Sequence, residues 1–153
     1  MTYILALAVA TGLACGVWGW ISSGFALGLI GFAGFAGCTT YFAYHEAQGL
    51  NKISRIIVPN MTGVIYASLA IKLIELSGGS LLVNVLATGF ISFLMVYQAK
   101  LGETFAYMPG AFMACFTTFA TGGSIWTFPS ILLGYLVGMG CDYGGRWLNT
   151  KKE

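Results

Sequence analysis

The sequence predicts an all-α integral membrane protein with six transmembrane helices, arranged as two inverted three-helix repeats. Three observations predict this fold class: very low charge, six long apolar runs, and residues that recur at a fixed separation. Of the 153 residues, 8% are charged and 58% are hydrophobic, whereas a soluble domain carries roughly 25% charged residues. This composition excludes an ordinary soluble domain, a disordered chain and a nucleic-acid-binding protein with a basic stripe. We therefore expect the lipid bilayer, and no nucleic acid, as a partner.

The apolar runs are long enough for membrane-spanning helices. Only helices and closed barrels can cross lipid, and a helix needs about 20 apolar residues to do so. The runs are continuous instead of alternating, which favours helices. They cover residues 3–21, 25–44, 56–76, 81–99, 105–120 and 125–148. The connections are short, so the chain is predicted to form a single transmembrane domain over residues 1–153, with no room for a soluble domain.

The basic residues predict the orientation of these helices. In a six-span arrangement, Lys72 lies toward one side and the other six basic residues lie on the opposite side. Those six are Lys52, Arg55, Lys100, Arg146, Lys151 and Lys152. Because loops rich in Lys and Arg face the cytoplasm, both termini are predicted to be cytoplasmic.

The two halves of the chain share residues at a constant separation of 77. Ala10-Thr11-Gly12 recurs as Ala87-Thr88-Gly89, and the second and fifth runs share five further identities at the same separation. Pro59 and Pro129 indicate a separation of 70 for the third pair of helices. We predict repeat A over about residues 3–76 and repeat B over about residues 80–148. Three spans per repeat is an odd number, so the halves must be inverted, with any solute site where they meet near the midplane. The alternative is a duplicated scaffold that transports nothing.

Neutral hydrogen-bonding residues at matched depth indicate a narrow solute pathway. The alternative is that the Thr hydroxyls bond back to carbonyls of their own helix and that the glycines only allow close helix packing. The predicted pathway residues are Thr11, Gly37, Cys38, Thr39, Thr40, Asn84, Thr88, Cys115, Thr117 and Thr118.

A polar pair follows the second run at its cytoplasmic end. His45 and Glu46 are interpreted as a gating pair at the mouth of the pathway. The alternative is a solvated surface pair without a role in transport.

No residue pattern points to catalysis, a metal or a cofactor. The four cysteines, Cys15, Cys38, Cys115 and Cys141, fall in separate apolar runs and form no CxxC motif, so they are interpreted as buried small apolar residues. An intramembrane enzyme needs a nucleophile–base pair or a metal cluster. We therefore expect a protein that is not an enzyme, with no metal and no cofactor.

Four motifs follow one another along the chain: Thr11-Gly12 with Gly16-Val17-Trp18-Gly19-Trp20, then Gly34-Phe35-Ala36-Gly37-Cys38-Thr39-Thr40-Tyr41-Phe42-Ala43, then Gln98-Ala99-Lys100, and finally Pro109-Gly110-Ala111-Phe112 with Thr118-Phe119-Ala120. In this order they resemble the YcdZ-like small bacterial inner-membrane proteins, a family without an assigned function. The resemblance implies a multi-pass protein of the bacterial inner (cytoplasmic) membrane and brings no catalytic residues. The sequence departs from the family pattern at Tyr44-His45-Glu46-Ala47, where a segment rich in Pro and Gly is expected.

Together these features predict a channel or facilitated transporter for a small neutral or weakly ionised solute. The alternative is a non-conducting structural or regulatory membrane subunit that binds a partner or lipid. A six-helix unit of this size packs only a thin core, so a homo-oligomer is expected.

Overall fold

The computed structural model describes residues 3–24 and 28–150, and these residues form helices and short connections without a strand. The all-α prediction is confirmed for them. Residues 25–27, at the start of the predicted second run, and Lys151 and Lys152 lie outside the described residues. The α-helices are α1 (Tyr3–Gly24), α2 (Gly31–Ala43), α3 (Gly49–Leu76), α4 (Leu81–Tyr97), α5 (Met108–Ala120) and α6 (Thr127–Thr150), and two 3₁₀ helices, Gln98–Leu101 and Glu103–Phe105, join α4 to α5.

The helices fall into two length classes. Three stretches are long and apolar enough to cross a bilayer: α1, α3 and the helical stretch Leu81–Leu101. Helix α6, with 24 residues, is long enough to cross a bilayer but is less apolar than these three stretches. Helices α2 and α5 have 13 residues each, which is about 20 Å of helix against a hydrocarbon core of about 30 Å. Six full spans therefore stay a prediction.

The short helices begin later than the apolar runs suggested. Helix α5 begins at Met108 with Pro109 in its first turn, where a residue without an N–H is tolerated. Gly28 and Gly102, ahead of α2 and α5, have φ angles of 70° and 124°. Residues other than glycine rarely adopt such φ angles. Non-helical backbone thus precedes both short helices.

The chain divides into two compact units. The terminal unit consists of Met1–Ala43 and Pro129–Glu153, and the central unit of Tyr44–Phe128. The terminal unit contains α1, α2 and nearly all of α6, and the central unit contains α3, α4 and α5. Each unit therefore takes two helices from one half of the sequence and its third helix from the other half.

Glycines bring α2 and α6 into backbone contact in the terminal unit. A Cβ atom at Gly134 would overlap the Gly34 carbonyl oxygen, and one at Gly37 would overlap the Ile131 carbonyl oxygen. Small residues allow such close approach of membrane helices. A larger side chain at any of these glycines would push the two helices apart.

Two polar contacts fix the start of α2 within the same unit. The Trp18 indole Nε1 donates a hydrogen bond to the Gly31 carbonyl at 2.8 Å. The Ile30 backbone N–H donates to the Ser130 hydroxyl oxygen at 2.9 Å. The Ile30 N–H precedes the first turn of α2 and has no acceptor within that helix, so the Ser130 hydroxyl supplies its partner.

The central unit uses the same kind of contact. A Cβ atom at Gly63 of α3 would overlap the Ala111 carbonyl oxygen of α5. A Cβ atom at Gly110 would lie 2.6 Å from the Asn60 Nδ2 atom. The apolar core beside these contacts consists of Ala67, Ala70, Ala87, Ile91, Met95, Ala111 and Cys115.

Helices α2 and α5 bury the same positions. Helices α2 and α5 start 77 residues apart (108 − 31) and have equal length. Every buried residue of α2 has a buried counterpart at that separation in α5: Ala33, Gly34, Gly37, Cys38, Thr40 and Tyr41 correspond to Gly110, Ala111, Ala114, Cys115, Thr117 and Thr118.

Helices α3 and α6 correspond at a separation of 71, one residue more than the prolines suggested. Six of the eight buried α3 residues match buried residues at this separation: Ile56, Pro59, Asn60, Gly63, Ala67 and Ala70 correspond to Thr127, Ser130, Ile131, Gly134, Gly138 and Cys141. The other two, Gly49 and Lys52, have no counterpart within α6. Pro59 is buried whereas Pro129 is half-buried, so the two prolines occupy neighbouring and not equivalent positions. The separation is 71 and not 70 because the close contacts of the glycines, and not the prolines, determine how α3 and α6 pack.

Candidate functional site

Three predicted pathway residues are buried and hydrogen-bonded to their own helices. The Thr40 hydroxyl donates to the Ala36 carbonyl at 2.9 Å. The hydroxyls of Thr117 and Thr118 donate to the carbonyls of Met113 and Ala114 at 2.7 Å and 2.8 Å. This is the alternative that the sequence left open. The hydroxyl protons of these three residues are engaged within their own helices.

The other pathway residues of the short helices differ in exposure. Gly37, Cys38 and Cys115 are buried within their units, whereas Thr39 is exposed on α2. The structure therefore separates Thr39 from Thr40, although the two are adjacent in the sequence. Thr39 is the polar residue that α2 leaves accessible.

Two pathway residues lie together on an exposed face of α4. The Thr88 hydroxyl donates to the Asn84 side-chain oxygen at 3.2 Å, and both residues are exposed. Their spacing of four residues places them on one face of the helix. Asn84 and Thr88 therefore form a small polar surface on α4, which Ser92 extends by donating to the Thr88 carbonyl at 2.8 Å.

Three cysteine sulfurs meet inside the terminal unit. The Sγ atoms of Cys15, Cys38 and Cys141 lie within 4.8 Å of one another. Cys38 and Cys141 are buried and Cys15 is half-buried. Thr11, the predicted pathway residue of α1, is half-buried. The sequence does not reveal this cluster, because the cysteines come from α1, α2 and α6 and form no local motif.

A polar cavity of about 570 Å³ opens in the central unit. Arg55 and Glu103 form an ion pair across it, with an Nη1–Oε2 distance of 3.1 Å. The remaining lining residues are Tyr44, Glu46, Ala47, Asn51, Ser54 and Ala106. The cavity lies beside the non-helical segment that leads into α5.

One residue of the predicted gating pair lines this cavity. His45 and Glu46 are both exposed, but Glu46 is among the lining residues and His45 is not. The Tyr44 hydroxyl donates to the Glu46 carboxylate at 3.3 Å. Burial raises the pKa of Tyr44, and the Glu46 charge raises it further, so the phenol stays protonated and keeps donating at neutral pH.

Two amide side chains of the central unit are buried with unsatisfied atoms. Asn60 is fully buried, and its Nδ2 donates to the Ile56 carbonyl at 3.0 Å. Among the described residues, the Asn60 Oδ1 atom and both polar atoms of Gln98 have no hydrogen-bond partner. A buried amide without a partner costs about 1–3 kcal/mol. Gln98 belongs to one of the four family motifs, but its position at the polar end of an apolar run does not predict that it is buried.

The chain is similar to proteins of known location. Residues 8–146 match the family described as "Protein of unknown function (DUF1097)". The chain is 35% identical to the inner membrane protein YcdZ of Escherichia coli (strain K12) over 153 residues, which cover 99% of this chain and 91% of that protein. It is 34% identical to the inner membrane protein YcdZ of Salmonella typhimurium (strain LT2) over 155 residues, with 100% and 94% covered. No solved structure matches the chain. The family match and the similarity along the whole chain confirm the resemblance seen in the motifs: the chain belongs to the DUF1097 family and is related along its whole length to the inner membrane protein YcdZ.

Proposed function

We propose that this membrane protein is a channel or facilitated transporter for a small neutral or weakly ionised solute in the bacterial inner membrane. One observation carries the proposal: at a matched position, each unit contains a 13-residue helix that is too short to cross the bilayer by itself and that directly follows non-helical backbone. Non-helical backbone at membrane depth is tolerated only where protein buries it or where it lines a water-filled cavity. Transporters use such broken helices at their solute sites.

The matched units support an inverted repeat. The buried positions coincide at separations of 77 and 71, and each unit exchanges its third helix with the other half of the sequence. Three helices per repeat require the two copies to have opposite orientations if all of them cross. Inverted repeats of this kind are frequent among transporters.

The short helices favour a neutral solute. Neither α2 nor α5 contains a charged residue. The exposed side chains of α2 include Phe32, Phe35 and Thr39, so Thr39 is the hydrogen-bonding group on that face. An ion crossing along such a surface would lose its hydration without compensation.

Solute flux into proteoliposomes tests the proposal. Purified protein is reconstituted, and the uptake of glycerol, urea and acetic acid is followed by stopped-flow light scattering. We expect at least one solute to enter faster than into empty liposomes. Folded, incorporated protein that accelerates none of the three would contradict the proposal.

Two adjacent threonines provide a matched pair of variants. Thr39→Val removes an exposed hydroxyl, and Thr40→Val removes a hydroxyl that donates to the Ala36 carbonyl. Losing one hydrogen bond to the solute, worth about 1 kcal/mol, is expected to slow flux about fivefold in Thr39→Val. Thr40→Val is expected to keep the rate within about twofold. Equal effects of the two variants would argue against a path along this face of α2.

The non-conducting alternative is favoured by a different observation. An apolar groove of about 610 Å³ runs along α1 and α6, lined by residues that include Leu13, Val17, Leu136 and Trp147. Such a groove suits a lipid chain or a partner helix. Retention of a stoichiometric lipid in native mass spectrometry, together with absence of flux, would support this function. The homo-oligomer stays a prediction, and light scattering of the purified protein in detergent measures it.

A further inference from the structure

The cysteine cluster of the terminal unit has the geometry of a ligand set for one metal ion. Three metal–sulfur bonds of about 2.3 Å around a trigonal ion place the sulfurs about 4.0 Å apart. The Sγ atoms of Cys15, Cys38 and Cys141 lie within 4.8 Å of one another. Shifts of less than 1 Å by side chains would therefore complete the coordination. Each ligand comes from a different helix, so binding would also tie α1, α2 and α6 together.

We propose that Cys15, Cys38 and Cys141 bind a single Cu(I) ion. Among the described residues, no His, Asp or Glu joins the three sulfurs, so the site offers sulfur alone. Soft sulfur ligands select Cu(I) and Zn(II) over harder metals. Zn(II) favours four ligands in a tetrahedral site, whereas Cu(I) is satisfied by three sulfurs. The proposal is independent of the transport function and departs from the expectation of no metal.

The surroundings of the cluster suit a soft metal ion. Cys38 and Cys141 are 6% and 0% exposed, so the protein itself shields two of the three sulfurs. Each thiol that becomes a thiolate ligand releases one proton to solvent, and neither copper nor sulfur changes oxidation state.

The central unit contains a matched control. Cys115 corresponds to Cys38 at the separation of 77 and is also 6% exposed. Ser92 stands where Cys15 would be, and Ala70 where Cys141 would be. Cys115 therefore has the burial of a cluster cysteine without the other two sulfurs, and Cys115→Ser tests the effect of removing a buried thiol alone.

Competition for Cu(I) tests the site. The reduced, full-length protein in detergent is titrated anaerobically against the Cu(I)–bicinchoninate complex. Wild type and Cys115→Ser are expected to withdraw one equivalent of Cu(I) per chain. Cys15→Ser, Cys38→Ser and Cys141→Ser are expected to bind more than about 100-fold more weakly, because loss of an outer-shell partner alone costs 10–100-fold.

Two further measurements separate binding from folding. Circular dichroism and size-exclusion chromatography establish that each variant is folded, and X-ray absorption of the copper-loaded protein is expected to show sulfur as the only ligand type. Affinity should fall as pH is lowered, because protons compete for the thiolates. The proposal is overturned if reduced wild type withdraws no Cu(I), if Cys115→Ser loses binding as much as Cys141→Ser, or if only Zn(II) binds at one equivalent.

Discussion

The terminal and central units share one packing scheme but carry different chemistry at matched positions. Cys15 and Cys141 of the terminal unit, which meet Cys38, correspond to Ser92 and Ala70 of the central unit. The contacts that hold the helices are alike, since Gly134 lies against the Gly34 carbonyl and Gly63 against the Ala111 carbonyl. Small residues at the close contacts therefore define the fold. Positions beside those contacts are free to carry sulfur in one unit and a hydroxyl or a methyl group in the other.

Helices α3 and α6 differ in the opposite sense, because here the central unit carries the polar residue. Asn60 of α3 and Ile131 of α6 occupy matched buried positions, with exposed fractions of 0% and 1%. The Asn60 side-chain oxygen has no partner among the described residues, and Ile131 contributes only apolar surface. The central unit thus keeps a buried polar group where the terminal unit has a hydrocarbon. Buried polar groups in membrane helices are functional candidates.

The largest expected effect comes from the glycines at the close contacts. Gly63→Ala and Gly134→Ala each place a methyl group onto a backbone carbonyl that cannot move without separating two helices. We expect each to lower the free energy of unfolding by about 3 kcal/mol. Unfolding by titration with sodium dodecyl sulfate in mixed micelles measures this change.

Two other glycines serve as the control. At Gly12 and Gly89, 77 residues apart, an added Cβ atom would meet no atom of the described residues within 4 Å. Gly12→Ala and Gly89→Ala are expected to leave stability unchanged or raise it by up to about 1 kcal/mol, because Ala favours a helix. If Gly134→Ala were tolerated as well as Gly12→Ala while Gly63→Ala was not, the two units would not share their packing.

Exchanging the matched buried residues of α3 and α6 is expected to change stability less than the glycine substitutions do. Asn60→Ile gives the central unit the residue of the terminal unit and removes the unpartnered oxygen. We expect the free energy of unfolding to rise by about 1 kcal/mol, and the reciprocal Ile131→Asn to lower it by about 2 kcal/mol. The same detergent titration measures both variants. Destabilisation by Asn60→Ile would mean that the amide is needed for packing.

The smallest expected difference in stability is between the ion pairs of the two units. Arg146 contacts Asp142 through two hydrogen bonds of 3.1 Å, whereas Arg55 and Glu103 share one and have side chains 47% and 88% exposed. Glu103→Gln is expected to change stability by less than about 0.5 kcal/mol, and Asp142→Asn to reduce it by about 1 kcal/mol. Thermal unfolding at low and high salt measures both, since salt screens exposed pairs. A larger effect at Glu103 would indicate that the cavity ion pair is structural.

Much of the helical framework could be predicted from the sequence. Apolar runs locate the helices because only continuous apolar segments satisfy their backbone in lipid, and Ala10-Thr11-Gly12 with Ala87-Thr88-Gly89 reveals the separation of 77. The starts of α2 and α5 could not be predicted, because hydropathy does not distinguish apolar helix from apolar non-helical backbone. Gly28 and Gly102 take left-handed φ angles, which composition alone does not indicate.

The candidate site was predictable only in part. Thr40 and Thr117, which the separation of 77 pairs, are both buried, and their hydroxyls donate to Ala36 and Met113 of their own helices. The cysteine cluster depends on α6 packing with α1 and α2, a long-range pairing that leaves no local sequence pattern. Asn60 and Gln98 are notable because they are buried with unpartnered polar atoms, and the sequence alone does not show burial.

Labelling from the two sides of the membrane tests the inverted arrangement of the two units most directly. Ala47 and Ser124 lie 77 residues apart (124 − 47), shortly after α2 and α5 respectively. Ala47→Cys and Ser124→Cys are placed singly in a chain whose four native cysteines are replaced by Ser. A membrane-impermeant maleimide is then applied to intact cells and to inside-out vesicles. Inverted copies predict that Ala47→Cys is labelled only from the cytoplasmic side and Ser124→Cys only from the opposite side. Labelling of both positions from the same side would contradict the inverted repeat.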